Sequence, residues 1–129
     1  MPQRLAALTL IIPDYDEAIG WFTRALGFSL ISDVPVGGGK RWVVVSPGPG
    51  GAEIVLAQPA DERQRARIGD QTAGRVMLFL HTDDFSRDHK AMRAKGVRFV
   101  EAPRDEPYGM VAVFEDAWGN RWDLIERRR

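Results

Sequence analysis

The feature that most constrains the fold of this chain is a pattern that occurs twice. Asp14 and Gly27 enclose one predicted helix and lie thirteen positions apart, and Asp83 and Gly96 enclose a second helix with the same separation. In each copy an aspartate supplies the N-cap and a glycine supplies the C-terminal stop. An internal duplication accounts for both copies, so we expect two units of one supersecondary structure.

Apolar segments flank both predicted helices and indicate β-strands. The first helix follows a strand at residues 5–12 and precedes strands at 28–34, 41–46 and 52–58; the second follows a strand at 75–82 and precedes strands at 97–100, 110–114 and 121–125. Each half is therefore β-α-β-β-β, which predicts an α+β fold of two tandem modules. Because the strands are apolar on both faces, we expect the two sheets to form an incomplete barrel around a cleft, where a small molecule would bind.

Residues 59–74 differ in character from the two halves, since they are polar and charged with few large apolar side chains. We interpret them as a linker, with a turn or two of helix near residues 61–67, between module one (1–58) and module two (75–129). A chain of 129 residues is the size of one domain.

Composition excludes several classes of function. The 18 basic and 18 acidic residues cancel, so no net field would attract nucleic acid or an anionic membrane. The absence of cysteine rules out disulfides, thiolate nucleophiles and Cys-ligated zinc. No apolar run has transmembrane length, and Pro13 and Asp14 come too early for a signal peptide, so we expect a cytoplasmic protein.

The C-terminal stretch 110–126, MVAVFEDAWGNRWDLIE, predicts two strands joined by a turn at Asp116, Gly119 and Asn120. Together with IPDYDEAIGWFTRALGF and HTDDFSRDHKAMRAKGV, it resembles the vicinal oxygen chelate superfamily of glyoxalase I, bleomycin-resistance proteins, fosfomycin-resistance enzymes and extradiol dioxygenases. Ala117 stands where that family usually has proline. The resemblance implies paired βαβββ modules around a cleft, usually in a homodimer.

The resemblance also implies where a metal ion would be held. The family's metalloenzymes bind a divalent ion through four His, Glu or Gln side chains on the first and last strands of both modules. The matching positions here are Ala7, Val55, Met77 and Asp123. One carboxylate does not hold a catalytic metal, and adding Glu53 gives two acids and no histidine. We therefore expect neither the family metal nor another cofactor.

Side chains that would line the cleft are the candidates for ligand binding. They are Thr9, Trp42, Glu53, Met77, Phe79, His81, Tyr108, Met110 and Asp123. The aromatic ones would give shape-selective contact with a planar ligand, as would Trp118 and Trp122, although each could instead belong to the sheet core.

His81 and Asp123 are also the candidates for catalysis. His81 would act as a general base or bind ligand, or else pack at the end of its strand. A metal site formed by His81, Asp83 and Asp84 is a further alternative. Asp123 could pair with Glu53 as acid and base, or both could accept hydrogen bonds from a basic or hydroxylated ligand. His89, in contrast, lies on the apolar stripe of its helix and is predicted to pack between helix and sheet.

Three functions are compatible with these features. The first, which we favour, is metal-free binding of a small, partly aromatic molecule in the cleft. The second is a glyoxalase- or dioxygenase-type enzyme (a lyase, isomerase or oxidoreductase) with an atypical or metal-free site. The third is a dimeric interaction scaffold with a filled cleft.

Overall fold

The structure of the chain, a computed structural model, describes residues 2–128 and divides into two compact units between Ile68 and Gly69. We call them the first and second units. Each contains one β-sheet and one main helix, which confirms the α+β class and the repeated architecture. Among the described residues, no helix is long and apolar enough to cross a membrane.

The first unit follows the predicted β-α-β-β-β order. Its elements are β1 (Ala7–Ile11), α1 (Tyr15–Ala25), β2 (Ser29–Gly37), β3 (Lys40–Ser46) and β4 (Glu53–Ala57), with a short helix α2 (Glu62–Arg65) after the sheet. The strand order is β1-β4-β3-β2, with β1 parallel to β4 and the other pairs antiparallel. Asp14 is the N-cap of α1, and its Oδ2 accepts a hydrogen bond of 2.9 Å from the backbone N–H of Glu17.

The second unit has one more strand than the sequence pattern predicted. Its elements are β5 (Val76–His81), α3 (Phe85–Ala94), β6 (Arg98–Phe99), β7 (Arg104–Glu106), β8 (Gly109–Glu115) and β9 (Arg121–Arg127). The sheet order is β5-β9-β8-β6, and β7 also pairs with β8. The long strand β8 thus pairs with two short strands in succession. Pro103 and Pro107 flank β7 and, lacking N–H donors, limit it to three residues.

Helix α3 covers one face of the second sheet through a run of ring contacts. His89 stacks on Phe85 with ring centroids 5.2 Å apart and meets the edge of Phe99 at 4.4 Å. Phe99 contacts Phe114, which stacks on Trp122 at 5.6 Å. These contacts confirm that His89 packs between helix and sheet, and its burial, with nearby Arg93, lowers its pKa.

The turn between β8 and β9 is organised by the buried carboxylate of Asp116. Its Oδ1 accepts the backbone N–H groups of Trp118, Gly119 and Asn120 at 3.0–3.1 Å. Its Oδ2 accepts Nδ2 of Asn120 at 3.0 Å and Nε1 of Trp122 at 3.2 Å. Burial raises the pKa of Asp116, and these donors act in the opposite direction because they favour the charged form.

The start of the second unit is hydrogen-bonded to the same turn. The backbone N–H of Gln71 donates to Oδ1 of Asn120 at 3.2 Å. Gly69 has a φ of +76°, and a Cβ there would collide with the carbonyl oxygen of Trp118. Glycine therefore allows residues 69–71 to lie against the turn.

Replacing Asp116 by alanine should lower the free energy of unfolding by about 3 kcal/mol, because five buried or half-buried donors lose their acceptor. Urea denaturation measures this loss. Asp14→Ala, which removes one exposed helix cap, should cost only about 1 kcal/mol. Equal losses in the two variants would show that the Asp116 network does not stabilise the fold as described.

Candidate functional site

One face of the second sheet carries no helix and holds the charged candidate Asp123. Phe79 of β5, Asp123 of β9 and Val113 of β8 are in register and therefore share a face. Glu126 has the opposite parity on β9, and its Oε1 accepts the backbone N–H of Phe85 at 2.7 Å, which assigns its face to α3. We call the other face, defined by Phe79, Asp123 and Val113, the Asp123 face.

Asp123 is a largely buried acid with an unsatisfied oxygen. The residue is 9% exposed, and its Oδ1 is buried without a hydrogen-bond partner among the described residues. Burial raises its pKa; the charge of Arg104 opposes this shift and the charge of Glu101 adds to it. A carboxyl in this state can either accept a hydrogen bond from a ligand or, when protonated, donate one.

Three charged residues near β7 form an ion-pair group beside Asp123. Arg104 donates Nε to Oε1 of Glu101 at 3.1 Å and Nη1 to Oε2 of Glu106 at 2.8 Å. Oε1 of Glu101 also accepts the backbone N–H of Val113 at 3.1 Å, in the gap that β6 and β7 leave along β8. The group is therefore anchored to the strand that neighbours Asp123.

Sequence analysis did not single out Glu101, Arg104 or Glu106. The one feature of the sequence that could have indicated this group is the two-residue spacing of Arg104 and Glu106, which places both side chains on one face of a strand. Because prolines flank this segment, it gave no strand pattern, and the charges resembled those of a solvated loop. The pairing of β7 with β8 decides their position.

The other candidates of the second unit are distributed over both faces of the sheet. Phe79 is 62% exposed, and His81, two residues further along β5, is also exposed. Tyr108 is exposed in the turn between β7 and β8. Met77 is the extra residue of an irregularity in β5 and has no register partner in β9. Met110 lies in register with Glu126 and hence on the face of α3, not on the Asp123 face.

In the first unit, three candidates share the sheet face opposite α1. Thr9 lies in register with Val55, and Glu53 lies two residues before Val55 on the same strand. Val44 is in register with Val55, so Trp42, two residues away on β3, belongs to this face and is exposed. The structure thus groups Thr9, Trp42 and Glu53 on one sheet, and Phe79, His81 and Asp123 on the other.

Glu53 also lines a groove of about 540 Å³ within the first unit. Its other walls are formed by the glycine-rich loop 48–51 and by Arg4, Ser29, Ile31 and Ser46. The Oγ of Ser46 is already bonded to both backbone groups of Gly48, at 2.9 and 3.1 Å. The groove therefore presents loop backbone, the two charged side chains and the exposed apolar side chain of Ile31.

The alternative metal site around His81 does not fit the contacts of its two acids. Asp83 forms an ion pair of 2.7 Å with Arg87. Asp84 caps α3 by accepting the backbone N–H of Arg87 at 3.1 Å. Within residues 2–128 no three His, Asp or Glu side chains are grouped so that they could hold a metal ion.

The two remaining aromatic candidates, Trp118 and Trp122, are half-buried and buried. Trp122 is 2% exposed and bonds Asp116 through its indole, so it belongs to the sheet core. Trp118 is half-buried in the Asp116 turn. Neither residue is as exposed as Trp42 in the first unit or Phe79 and Tyr108 in the second.

Comparison with known proteins gives a family match over nearly the whole chain. The model of the Glyoxalase/Bleomycin resistance protein/Dioxygenase superfamily matches residues 4–124. An uncharacterised protein of Shewanella frigidimarina (strain NCIMB 400) is 47% identical over 128 residues, which cover 98% of this chain and 95% of that protein.

Solved structures show the same fold. The crystal structure of UcmS2 is 30% identical, has a TM-score of 0.84, and is matched over 98% of this chain and 99% of its own. TnmS3, described as an antibiotic binding protein from Streptomyces sp. CB03234, is 25% identical with a TM-score of 0.79, and 98% of each chain is covered.

Asp123→Asn should change how stability depends on pH. Because the pKa of Asp123 is raised in the folded chain, the folded state holds the proton more tightly than the unfolded state. The residue's contribution to stability is therefore fully present below the unfolded pKa and is lost as pH rises through the folded pKa. Urea denaturation from about pH 4 to about pH 7 should show wild type losing stability relative to the variant.

The control for this experiment is Asp83→Asn, which changes an exposed acid of the same unit. This variant should follow the pH trend of wild type. A constant difference between wild type and Asp123→Asn across the range would show that the carboxyl of Asp123 is not desolvated in the folded chain.

Proposed function

Because the chain belongs to the Glyoxalase/Bleomycin resistance protein/Dioxygenase superfamily, we propose that it binds a small, partly aromatic molecule without the divalent metal of the family's enzymes. One observation carries the proposal: on the Asp123 face an exposed aromatic ring, Phe79, lies in register beside a buried carboxyl with an unsatisfied oxygen. Apolar surface with a few placed polar groups is typical of small-molecule sites.

The aromatic part of the ligand is inferred from the exposed rings. Phe79 exposes 62% of its surface, although large apolar side chains of this kind are usually buried. Trp42 and Tyr108 are about half exposed in their own units. Aromatic rings stack on such surfaces with favourable geometry. TnmS3, an antibiotic binding protein with this fold, supports a binding role.

The metal-free part of the proposal rests on the residues at the matching positions. Ala7, Val55 and Met77 offer no oxygen or nitrogen side-chain donor, and a thioether is a poor ligand for a hard cation. The neighbours of Asp123 in register are Phe79 and Val113, which are apolar. The donor set does not fit the family's metal, so we assign no step to such an ion.

A metal-free acid–base enzyme is the second candidate, and the desolvated carboxyl of Asp123 favours it. A carboxyl with a raised pKa can exchange a proton nearer to neutral pH than an ordinary one. Asp123→Asn would abolish such an activity and leave binding of uncharged aromatic molecules intact. For either function we propose a homodimer located in the cytoplasm.

Phe79→Ala should weaken binding of 9-anthracenemethanol about five- to tenfold, because the variant loses the exposed ring that would stack on the ligand. Fluorescence anisotropy of the anthracene measures the affinity directly. The variant should remain within about 0.5 kcal/mol of wild-type stability, since Phe79 is exposed.

Leu5→Ala is the matched control for this test, because Leu5 is an exposed apolar residue (77% exposed) of the first unit. Its affinity for the probe should equal that of wild type. Unchanged affinity in Phe79→Ala would exclude the Asp123 face as the aromatic site, and no binding by wild type would count against an aromatic ligand.

Metal loading should leave the purified protein without a stoichiometric ion. After incubation with Ni²⁺, Mn²⁺, Fe²⁺ or Zn²⁺ and gel filtration, elemental analysis should find far less than one ion per chain. Anthracenemethanol should bind equally with and without a chelator. A tightly bound ion that is lost in Asp123→Asn would overturn the metal-free assignment.

A further inference from the structure

We propose that Asp123 makes the site selective for aromatic ligands that present an N–H or O–H donor, above all a protonated amine, and that the site rejects aromatic carboxylates. This inference rests on the proposed function, because it concerns the ligand of the same surface. The chemical class of that ligand follows from the hydrogen-bond donor that Asp123 lacks and from the charges around Asp123.

The unsatisfied oxygen of Asp123 requires a hydrogen-bond donor from outside its strand neighbours. In register with it are Phe79, whose side chain has no polar atom, and Val113. The backbone N–H of Val113 already donates to Glu101 at 3.1 Å. Because Oδ1 is itself buried, a ligand would donate to the exposed edge of the carboxyl, and a rotation about Cβ–Cγ can bring Oδ1 to that edge.

Arg104 is the cation near enough to influence Asp123, yet its hydrogen bonds go elsewhere. Its Nε and Nη1 donate to Glu101 and Glu106 at 3.1 and 2.8 Å. A guanidinium held by two carboxylates is fixed in place and partly neutralised. Arg104 therefore leaves the hydrogen-bonding position at Asp123 for a ligand.

The charges around Asp123 determine which donors and which ions the site accepts. Three carboxyl groups, those of Asp123, Glu101 and Glu106, surround one guanidinium, that of Arg104. A ligand ammonium would relieve this local excess of negative charge, and a ligand carboxylate would add to it. Arg121, two residues before Asp123 on the same strand, is exposed, so water screens its charge; Glu115, in register with it, pairs with Arg98 at 3.4 Å.

A series of four anthracenes tests the selectivity on one ring system. The probes are 9-(aminomethyl)anthracene, 9-anthracenemethanol, 9-methylanthracene and 9-anthracenecarboxylate, each titrated by fluorescence anisotropy. Wild type should bind the amine about tenfold more tightly than the methyl compound, with the alcohol between them, since a site with an unpaired acceptor discriminates against ligands that lack the donor. The carboxylate should bind more weakly than the methyl compound.

Asp123→Asn should remove most of the preference, so that amine and methyl compounds bind within about threefold of each other. Binding of 9-methylanthracene itself should be unchanged. The controls Arg121→Gln and Asp83→Asn alter exposed charges of the same unit and should keep the wild-type order. In wild type the preference for the amine should also weaken as salt is raised.

The outcomes separate this inference from the function on which it rests. If none of the four anthracenes binds wild type, the aromatic binding function itself fails. If all four bind wild type with equal affinity, or if the order survives in Asp123→Asn, binding stands and the role of Asp123 is wrong. The wild-type series and its salt dependence decide the question even where Asp123→Asn does not fold.

Discussion

The carboxylate of Asp116 is the constraint on which the second unit depends. It gathers three backbone N–H groups of its own turn, the amide of Asn120 and the indole of Trp122. These bonds fix the turn between β8 and β9, and with it the register of that hairpin. Because side chains alternate along a strand, a slip of one residue would turn Asp123 toward α3 and Trp122 away from it. The position of Asp123 thus follows from a turn that ends three residues before it.

The two faces of the second sheet differ in how their side chains are satisfied. On the face of α3 a continuous run of ring contacts links Phe85 to Trp122 through His89, Phe99 and Phe114, with His89 and Phe99 half-buried and the other three rings buried. On the Asp123 face the same strands present an exposed ring and an unsatisfied carboxyl oxygen. An unpaired buried oxygen lowers the free energy of unfolding, and the packing on the face of α3 compensates for this loss. A ligand that provides the missing donor would recover that cost as affinity.

The comparison of the two units shows how a duplicated pattern can diverge. Both keep an aspartate N-cap and a glycine after the helix, so the local signals of the repeat are preserved. The first unit has one long strand, β2, where the second has the short strands β6 and β7. That break along β8 creates the gap into which Glu101 places its carboxylate. The ion-pair group of Glu101, Arg104 and Glu106 is consequently specific to the second unit.

The sequence by itself determined the repeat, the helix caps, the closing turn and, in outline, eight of the nine strands in residues 2–128, because these depend on local periodicity and on residues with strong backbone preferences. It also identified Asp123 and showed that Ala7, Val55 and Met77 lack the metal-binding donors of the family, since the residue type alone decides whether a side chain has such a donor. Only the tertiary structure decided that Met110 lies on the face of α3, that β7 pairs with β8, and that Arg104 bonds two glutamates and leaves Asp123 without a donor. Those facts depend on register between strands distant in sequence, which no local pattern specifies.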